Sequence, residues 1–159
     1  MPIFVAFIFA MFIGEHIAKL DDKGRLVFPS PLKAQAEREG KGGLCFVVKK
    51  NLFRNYLEMF TNEEWEQKTL SIRSKLNIEF NREHEAFWSA YMSDCAQVEP
   101  DEKMGRILIP KRLLDKIGVN KEVVFFGSVF KIEVWAKERY REVEMSESDY
   151  VTLAQKLLG

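Results

Sequence analysis

The sequence predicts an α+β fold built from two copies of one small unit, and three observations support this prediction. A nine-residue motif occurs twice, a second stretch recurs in the same order, and short apolar strands alternate with amphipathic helices. An internal repeat is the first pattern to establish, because it sets both the architecture and the number of equivalent sites.

The repeated motif places a glycine and an arginine between an acidic residue and a proline. Its first copy reads DDKGRLVFP over residues 21–29, and its second reads EKMGRILIP over residues 102–110, 81 positions later. In both copies an acidic residue is followed by two variable residues, Gly, Arg, three apolar residues and Pro. Each unit therefore presents an arginine beside a glycine turn.

A second pair of matching stretches extends the repeat. Residues 57–65 (LEMFTNEEW) resemble residues 132–140 (IEVWAKERY), now 75 positions apart. The first copy therefore carries about six extra residues, which we place in the glycine-rich segment 39–43, since surface loops tolerate insertions at little entropic cost. Two blocks in the same order indicate an internal duplication.

The first copy is predicted to fold in the order strand, turn, strand, helix, strand, strand. Gly24 supplies the positive φ of the turn, and Ser30, standing before a proline, is expected to be a helix N-cap. Thr61 or Asn62, and then Asn81, are expected to cap two further helices. The predicted segments are strands over 13–20, 25–28, 44–48 and 56–60 and a helix over 30–39.

The second copy repeats this order. Gly118 is expected to end its helix as a left-handed cap, and Phe130, Ile132 and Val134 are expected to point inward along its last strand. The C-terminal segment 148–158 carries its apolar residues on one face and predicts an amphipathic helix in need of a partner. The predicted segments are strands over 95–98, 106–109, 123–126 and 130–135 and a helix that begins at 110.

Composition excludes some classes of function. The chain of 159 residues has 24 basic and 24 acidic residues, which argues against a general polyanion binder but allows a local basic patch. Cys45 and Cys95 have no CxxC spacing, so we expect neither a metal site nor a disulfide framework, and we expect both thiols to be reduced and buried.

The N-terminal segment 1–13 is almost wholly apolar. A membrane-spanning helix needs about 20 such residues, and a signal peptide needs a basic region and a cleavage site of small residues. This segment meets neither requirement, so we expect no membrane association. We interpret residues 1–10 as a non-native or mis-called extension and Met11 as the biological start.

The motif itself predicts an anion-binding turn. Asp21 and Arg25 face each other across it, so the carboxylate can hold the guanidinium in one rotamer while its donor fork points outward. A restrained arginine suits phosphate oxygens and guanine edges, and Lys23 adds a point charge. A single turn of this kind is better explained by a structural ion pair, worth about 0–1 kcal/mol when exposed. Its repetition favours a repetitive ligand, of which DNA is the most common.

One such turn binds weakly, because it neutralises only about two or three phosphates and so gives non-specific affinity. Linked copies raise avidity by about 10²–10⁴ without any new contact. The sequence therefore predicts a symmetric homo-oligomer that displays many copies of the turn.

Four blocks of the chain carry a family resemblance. They are MFIGEH (11–16), LDDKGR (20–25), GRILIP (105–110) and IEVW (132–135). Together, and in this order, they resemble the MraZ family of bacterial regulators, which consist of two tandem SpoVT-AbrB-like swapped-hairpin units. The resemblance covers residues 11–135 and, more loosely, the C-terminal helix.

The resemblance implies a β-barrel-like core of two pseudo-symmetric AbrB-like repeats with flanking helices. It further implies rings of about eight to twelve subunits that bind direct repeats in double-stranded promoter DNA of the division and cell-wall gene cluster, including the regulator's own gene. We therefore expect a cytoplasmic, nucleoid-associated, sequence-specific transcriptional regulator. The expected division is 11–65 for the first repeat, 66–92 for connecting helices, 93–140 for the second repeat and 141–159 for a helical tail.

The same resemblance assigns DNA binding to the two turns. The residues expected to contact DNA are Asp21, Lys23, Arg25, Glu102, Lys103 and Arg106. The second turn departs from the family pattern, because Glu102 stands where the family usually has Asp. Either Glu102 reaches Arg106, or the loop is one residue longer and Asp101 bends in. Three basic neighbours, Lys33, Lys111 and Arg112, are interpreted as flanking the patch.

Two other classes of function fit the sequence less well. The only histidines are His16 and His84, and we find no catalytic-triad spacing, glycine-rich phosphate loop or metal motif. We therefore expect no enzyme, no cofactor, no bound metal and no small-molecule substrate. The alternative that stays open is an AbrB-like antitoxin or protein-interaction module, although such proteins normally carry one copy and a disordered tail.

Overall fold

The structure, a computed structural model, describes residues 11–38, 44–142 and 144–159. The extension predicted at 1–10 and the insertion predicted at 39–43 lie outside the described residues. The strands are β1 (Phe12–Lys19), β2 (Leu26–Val27), β3 (Phe46–Lys50), β4 (Leu57–Thr61), β5 (Cys95–Val98), β6 (Arg106–Ile107), β7 (Glu122–Val129) and β8 (Ile132–Ala136). The helices are α1 (Ser30–Glu37), α2 (Asn62–Ser74), α3 (Arg82–Ser93), α4 (Lys111–Lys116), α5 (Lys137–Glu142) and α6 (Glu147–Leu158).

The strands of the two repeats interleave in an antiparallel sheet of order β1-β7-β8-β4-β3-β5, and β2 pairs separately with β6. Each strand of the first repeat has a counterpart in the second: β1 and β5, β2 and β6, β3 and β7, β4 and β8. Exchanging the counterparts reverses the order of the main sheet onto itself. The repeats are therefore related by a pseudo-twofold axis that passes between β4 and β8.

The main sheet is open and does not form a closed barrel. Its edge strands, β1 and β5, are not paired with each other in the described part of the chain. The physical reason lies in the second strand of each repeat. Because β2 and β6 leave the main sheet to pair with one another, each repeat contributes only three strands to it. The α+β fold class predicted from the sequence is confirmed.

Apolar residues of both motifs pack into one core between the main sheet and the β2–β6 ribbon. Leu26, Phe28, Ile107 and Ile109 are all buried. The Phe28 ring lies 5.1 Å from that of Phe46 and 5.7 Å from that of Phe125, measured between centroids. Burying side chains of this size stabilises the fold by about 1.5–3 kcal/mol each. The core thus fixes the ribbon, and with it the turns that precede each ribbon strand.

The pseudo-twofold axis brings two equivalent glutamates face to face. Glu58 of β4 pairs directly with Glu133 of β8, and like charges in this position destabilise a sheet. Each carboxylate has its own donor: Lys131 Nζ lies 2.7 Å from Glu58 Oε2, and Trp135 Nε1 lies 2.7 Å from Glu133 Oε1. The repulsion is therefore offset locally.

The local capping predictions are mostly confirmed. The Thr61 hydroxyl accepts a hydrogen bond from the Glu64 N–H, and the Asn81 side chain caps α3. Gly118 has φ +72° after α4, as a left-handed cap requires. At α1 the prediction of Ser30 as N-cap is wrong by one residue. Pro29 is the N-cap, and Ser30 is the first helical residue.

Phe130 is a clear departure from its predicted inward position. It precedes β8 in the tight β7–β8 turn, where Val129 has φ +63°, and its side chain is 51% exposed. The Ser128 N–H donates to the Lys131 carbonyl and closes this turn. Ile132 and Val134, within the strand itself, are buried as predicted.

Two further findings concern thiols and membranes. Cys45 and Cys95 are unbonded to one another and partly exposed, not fully buried as the sequence indicated. Among the described residues, the helices are too short or too polar for any of them to span a bilayer.

Candidate nucleic-acid interface

The β2–β6 ribbon brings the two arginine turns to one face of the molecule. Leu26 pairs with Ile107, and Val27 pairs with Arg106. Arg25 precedes β2 directly, and Arg106 opens β6, so both turns project from the same two-stranded ribbon near the pseudo-twofold axis. The resulting surface contains one arginine from each repeat.

The first turn is tightly braced by Asp21. Its Oδ2 accepts from Arg25 Nε at 2.8 Å, while its Oδ1 accepts from the backbone N–H groups of Arg25 and Lys23 at 2.8 and 2.9 Å. The Gly24 N–H donates to the Asp21 carbonyl at 3.0 Å, and Gly24 has φ +79°. A glycine is needed here, because L side chains rarely adopt this backbone conformation.

The second turn has the same architecture, with Asp101 as the bracing acid. Its Oδ2 accepts from Arg106 Nε at 2.8 Å, and its Oδ1 accepts from the Met104 N–H at 2.8 Å. The structure thus decides between the two alternatives left open by the sequence. Glu102 is exposed and has no hydrogen-bond or ion-pair partner among the described residues.

The strand registers explain why Asp101 takes this position. Ala18 of β1 and Val98 of β5 occupy equivalent places, 80 residues apart. Arg25 and Arg106 are also equivalent but stand 81 residues apart. One residue is therefore inserted within the second turn, and the residue equivalent to Asp21 is Asp101.

Both bracing carboxylates are strongly favoured in their ionised form. The Arg25 backbone N–H, followed by its side chain, lowers the pKa of Asp21. The Met104 N–H, followed by the Arg106 side chain, lowers the pKa of Asp101 to about 2. Each acid uses the Nε of its arginine, and within the described structure the terminal guanidinium nitrogens have no protein partner. These nitrogens remain as donors for a ligand.

The arginine side chains are restrained but still accessible. Arg25 is 29% exposed and Arg106 is 20% exposed. A guanidinium held in this way loses little conformational entropy when it binds, and its planar fork matches phosphate oxygens or a guanine edge.

The cations around the two turns differ. Lys23 belongs to the first turn, whereas Met104 occupies the same place in the second. At the second turn a cation arrives from elsewhere: Lys33 of α1 places its Nζ 3.9 Å from where a Cβ would stand on Gly105. Among the described residues, this ammonium has no hydrogen-bond or ion-pair partner. The sequence identifies Lys33 only as a flanking residue, because its approach depends on how α1 packs.

The other flanking cations are already paired. Lys111 bonds to Asp115, and Arg112 and Lys116 both contact Asp94. Lys103 is exposed beside the second turn. Each turn is formally neutral, because its two acidic residues equal its two basic residues in number. The net positive charge beside the ribbon therefore comes from Lys33.

Histidines and acidic residues form no other candidate site in the described structure. His84 Nδ1 accepts from the Asn77 N–H at 2.8 Å and joins α3 to the preceding loop. Across the described ranges, no three His, Cys, Asp or Glu side chains converge in a way that could hold a metal ion.

The interleaved sheet and the braced arginine pair define a tandem-repeat protein with two equivalent Asp–Arg turns on one ribbon. The family model described as "MraZ protein, putative antitoxin-like" matches residues 11–85 and 92–157. This chain belongs to the MraZ family.

Curated relatives agree with this assignment. The protein named transcriptional regulator MraZ from Christiangramia forsetii is 35% identical over 148 residues, which cover 92% of each chain. Its namesake from Bacteroides thetaiotaomicron is 31% identical, over 93% of this chain and 92% of the relative. The one from Flavobacterium psychrophilum is 34% identical, over 92% of this chain and 91% of the relative.

Proposed function

We propose that this chain is a sequence-specific, DNA-binding transcriptional regulator. The observation that carries the proposal is the pair of arginines, each braced by an aspartate, on a single two-stranded ribbon. The names of the curated relatives support the regulatory role. The proposed DNA contacts are Lys23, Arg25, Lys103 and Arg106. Asp21 and Asp101 belong to the site as bracing acids, Asp101 in place of Glu102.

The ribbon suits the major groove of DNA. That groove is about 12 Å wide and admits a two-stranded β-ribbon, and an arginine fork can bind the O6 and N7 atoms of guanine. In this proposal Arg25 and Arg106 read base edges, while Lys23 and Lys103 contact phosphates. Asp21 and Asp101 act at the interface through the arginines, which they hold in place.

We further propose that binding is multivalent. A single ribbon offers few phosphate contacts, so useful affinity needs several linked copies. A ring of about eight to twelve subunits would match direct repeats in the promoter of a division and cell-wall gene cluster, with the protein located at the nucleoid in the cytoplasm. In each subunit, repeats 11–65 and 93–140 would form swapped-hairpin units, joined by helices over 66–92 and followed by a tail over 141–159.

A DNA titration tests this function. The protein begun at Met11 is titrated with the region upstream of its own gene and with scrambled DNA of equal length, at two salt concentrations. Tighter, salt-sensitive binding to the upstream region is expected. Equal and weak binding to both DNAs would overturn the proposal.

One observation favours a second function, that of an antitoxin-like protein-interaction module. Helix α6 has no buried residue, and several of its apolar side chains are exposed: Tyr150, Val151, Leu153, Leu157 and Leu158. The description of the matched family also contains the word antitoxin-like. If the promoter titration shows no preference, α6 is the surface on which to seek a protein partner.

A further inference from the structure

We infer that Val27 and Leu108 form an apolar reading pair that contacts thymine methyl groups in the major groove. This inference rests on the proposed DNA-binding function and adds a source of base specificity to it. It concerns the outward face of the β2–β6 ribbon, between the two arginines.

The two side chains are exposed where their sequence neighbours are fully buried. Each motif has three apolar residues after the arginine, and in both copies the middle one points outward. Val27 is 50% exposed between Leu26 and Phe28, and Leu108 is 60% exposed between two buried isoleucines. The two positions are equivalent under the repeat, 81 residues apart. The outward apolar residue is thus a shared feature of both copies.

The ribbon register places each aliphatic residue beside an arginine of the other repeat. Val27 pairs directly with Arg106. Continuing the same register by one residue brings Leu108 opposite Arg25. In agreement, Leu108 Cδ1 lies 4.0 Å from where a Cβ would stand on Gly24, the neighbour of Arg25. The four side chains therefore alternate, arginine and aliphatic, on one small outward face.

This alternation fits the chemistry of a major-groove floor. Thymine is the one base that presents an apolar group there, its C5 methyl, next to polar acceptors and donors. Contact between an aliphatic side chain and that methyl removes apolar surface from water and so stabilises binding. A phosphate offers an aliphatic side chain no such contact. A cytosine at the same position offers no methyl, so the contact distinguishes bases.

The hydrogen-bond donors on this face favour DNA over a second copy of the chain as its occupant. The terminal guanidinium nitrogens of Arg25 and Arg106 need acceptors, and a second copy of the face brings the same donors again. DNA supplies the opposite charge around the groove as well as the methyl group within it.

Removal of the thymine methyls tests the inference. The upstream region is amplified with dUTP in place of dTTP, so that every thymine becomes uracil. The native protein is expected to bind this DNA more weakly, by about four- to fifteenfold for each subunit in contact, the range for removing one or two buried methyl groups. A variant with Val27→Ser and Leu108→Ser should bind the thymine DNA more weakly and should not distinguish it from the uracil DNA.

Matched controls separate this effect from general damage. Val151→Ser and Leu157→Ser remove two exposed aliphatic side chains from α6 and should leave the thymine-to-uracil ratio unchanged. Val27→Thr keeps the shape of the side chain and therefore provides a second test if the double variant misfolds. Its ratio of affinity for thymine DNA to affinity for uracil DNA should fall below that of the native protein. Circular dichroism checks the fold of each protein.

Two results overturn the inference while leaving the proposed function intact. One is promoter preference by the native protein with equal affinity for thymine and uracil DNA. The other is a folded serine double variant that retains the native ratio. If the native protein shows no promoter preference at all, the proposed function fails, and this inference fails with it.

Discussion

At the scale of single residues, each turn depends on one aspartate that performs two tasks. Asp21 Oδ1 binds backbone N–H groups and so shapes the turn, while its Oδ2 orients Arg25. The shaping bonds do not involve the arginine side chain. The turn and the guanidinium can therefore be separated by mutation, which makes the binding role testable without loss of the fold.

Arg25→Ala should weaken binding to the upstream DNA by about 1–3 kcal/mol and reduce its preference over scrambled DNA. Lys23→Ala, which removes a phosphate contact, should instead reduce the slope of log K against log [salt] by about 0.9. Assembly should be unchanged, because Asp21 keeps its backbone hydrogen bonds. Binding titrations at several salt concentrations, together with sedimentation, measure both properties. Lys111→Ala, which removes a cation already paired with Asp115, is the matched control. If Arg25→Ala dissolves the oligomer, the turn is structural and the assignment is wrong.

The second turn should have a distinct dependence on pH. Because the folded pKa of Asp101 is lowered to about 2, its stabilising contribution is present above the unfolded value of about 3.9. That contribution is lost as the pH falls towards 2. The Arg106 Nε–H signal in NMR spectra should therefore shift within this acidic range, together with the Asp101 carboxyl carbon.

Two variants check the identity of the acid. Asp101→Asn should abolish the acidic transition at the Arg106 signal, whereas Glu102→Gln should preserve it. The reverse pattern would show that Glu102 braces the arginine in solution.

At the scale of elements, the partly buried ion pair between Lys131 and Glu58 lies next to the pseudo-twofold axis. Burial opposes the charge of Lys131, but hydrogen bonds with Glu58 and Tyr56 raise its pKa overall. The Glu58 side chain is only 6% exposed and faces Glu133 across the sheet. The pairing of β4 with β8 therefore depends on Lys131, which supplies the positive charge beside Glu58.

Lys131→Met should lower the free energy of unfolding by about 3 kcal/mol, because it leaves a buried carboxylate without its partner. Urea unfolding measures the change. Lys111→Met breaks an exposed pair instead and should cost less than about 1 kcal/mol. Equal losses in the two variants would contradict this account.

What the sequence predicts well at this scale is what depends on a few neighbouring residues. Thr61, Asn81 and Gly118 act as caps because capping needs only local backbone geometry and a suitable side chain. The order of strands and helices is likewise readable from the repeat. The open sheet is not, because the departure of β2 and β6 from it depends on contacts between residues about 80 positions apart.

The same distinction explains the outcomes at the site. Arg25 and its acid follow from one short motif, and the structure brings them together as predicted. The choice between Asp101 and Glu102 depends on the register of β5 against β3, which no local pattern contains. The exposed Val27 and Leu108 do have a sequence signal, since the middle one of three apolar residues in an extended segment faces away from its two neighbours.

At the scale of the whole molecule, the two repeats are similar in backbone but differ in the positions of their cations. The first turn carries its own lysine, Lys23, and the second has Met104 there. The position equivalent to Lys33 in the second repeat is the buried Leu114. The first repeat thus contributes Lys33 to the turn of the second repeat. At the equivalent position the second repeat has no cation to contribute to the first turn. The pseudo-twofold surface should therefore bind an asymmetric DNA site.

A double-mutant cycle tests this exchange between the repeats. Lys33 lies against the second turn, beside Gly105, so Lys33→Ala and Arg106→Ala should be non-additive in their effect on DNA affinity. Neighbouring residues that share a ligand typically couple by about 0.5–3 kcal/mol. Lys33→Ala combined with Arg25→Ala serves as the control and should be additive within about 0.5 kcal/mol. Stronger coupling to Arg25 than to Arg106 would mean that Lys33 serves its own repeat, and that the binding surface is more symmetric than the charges indicate.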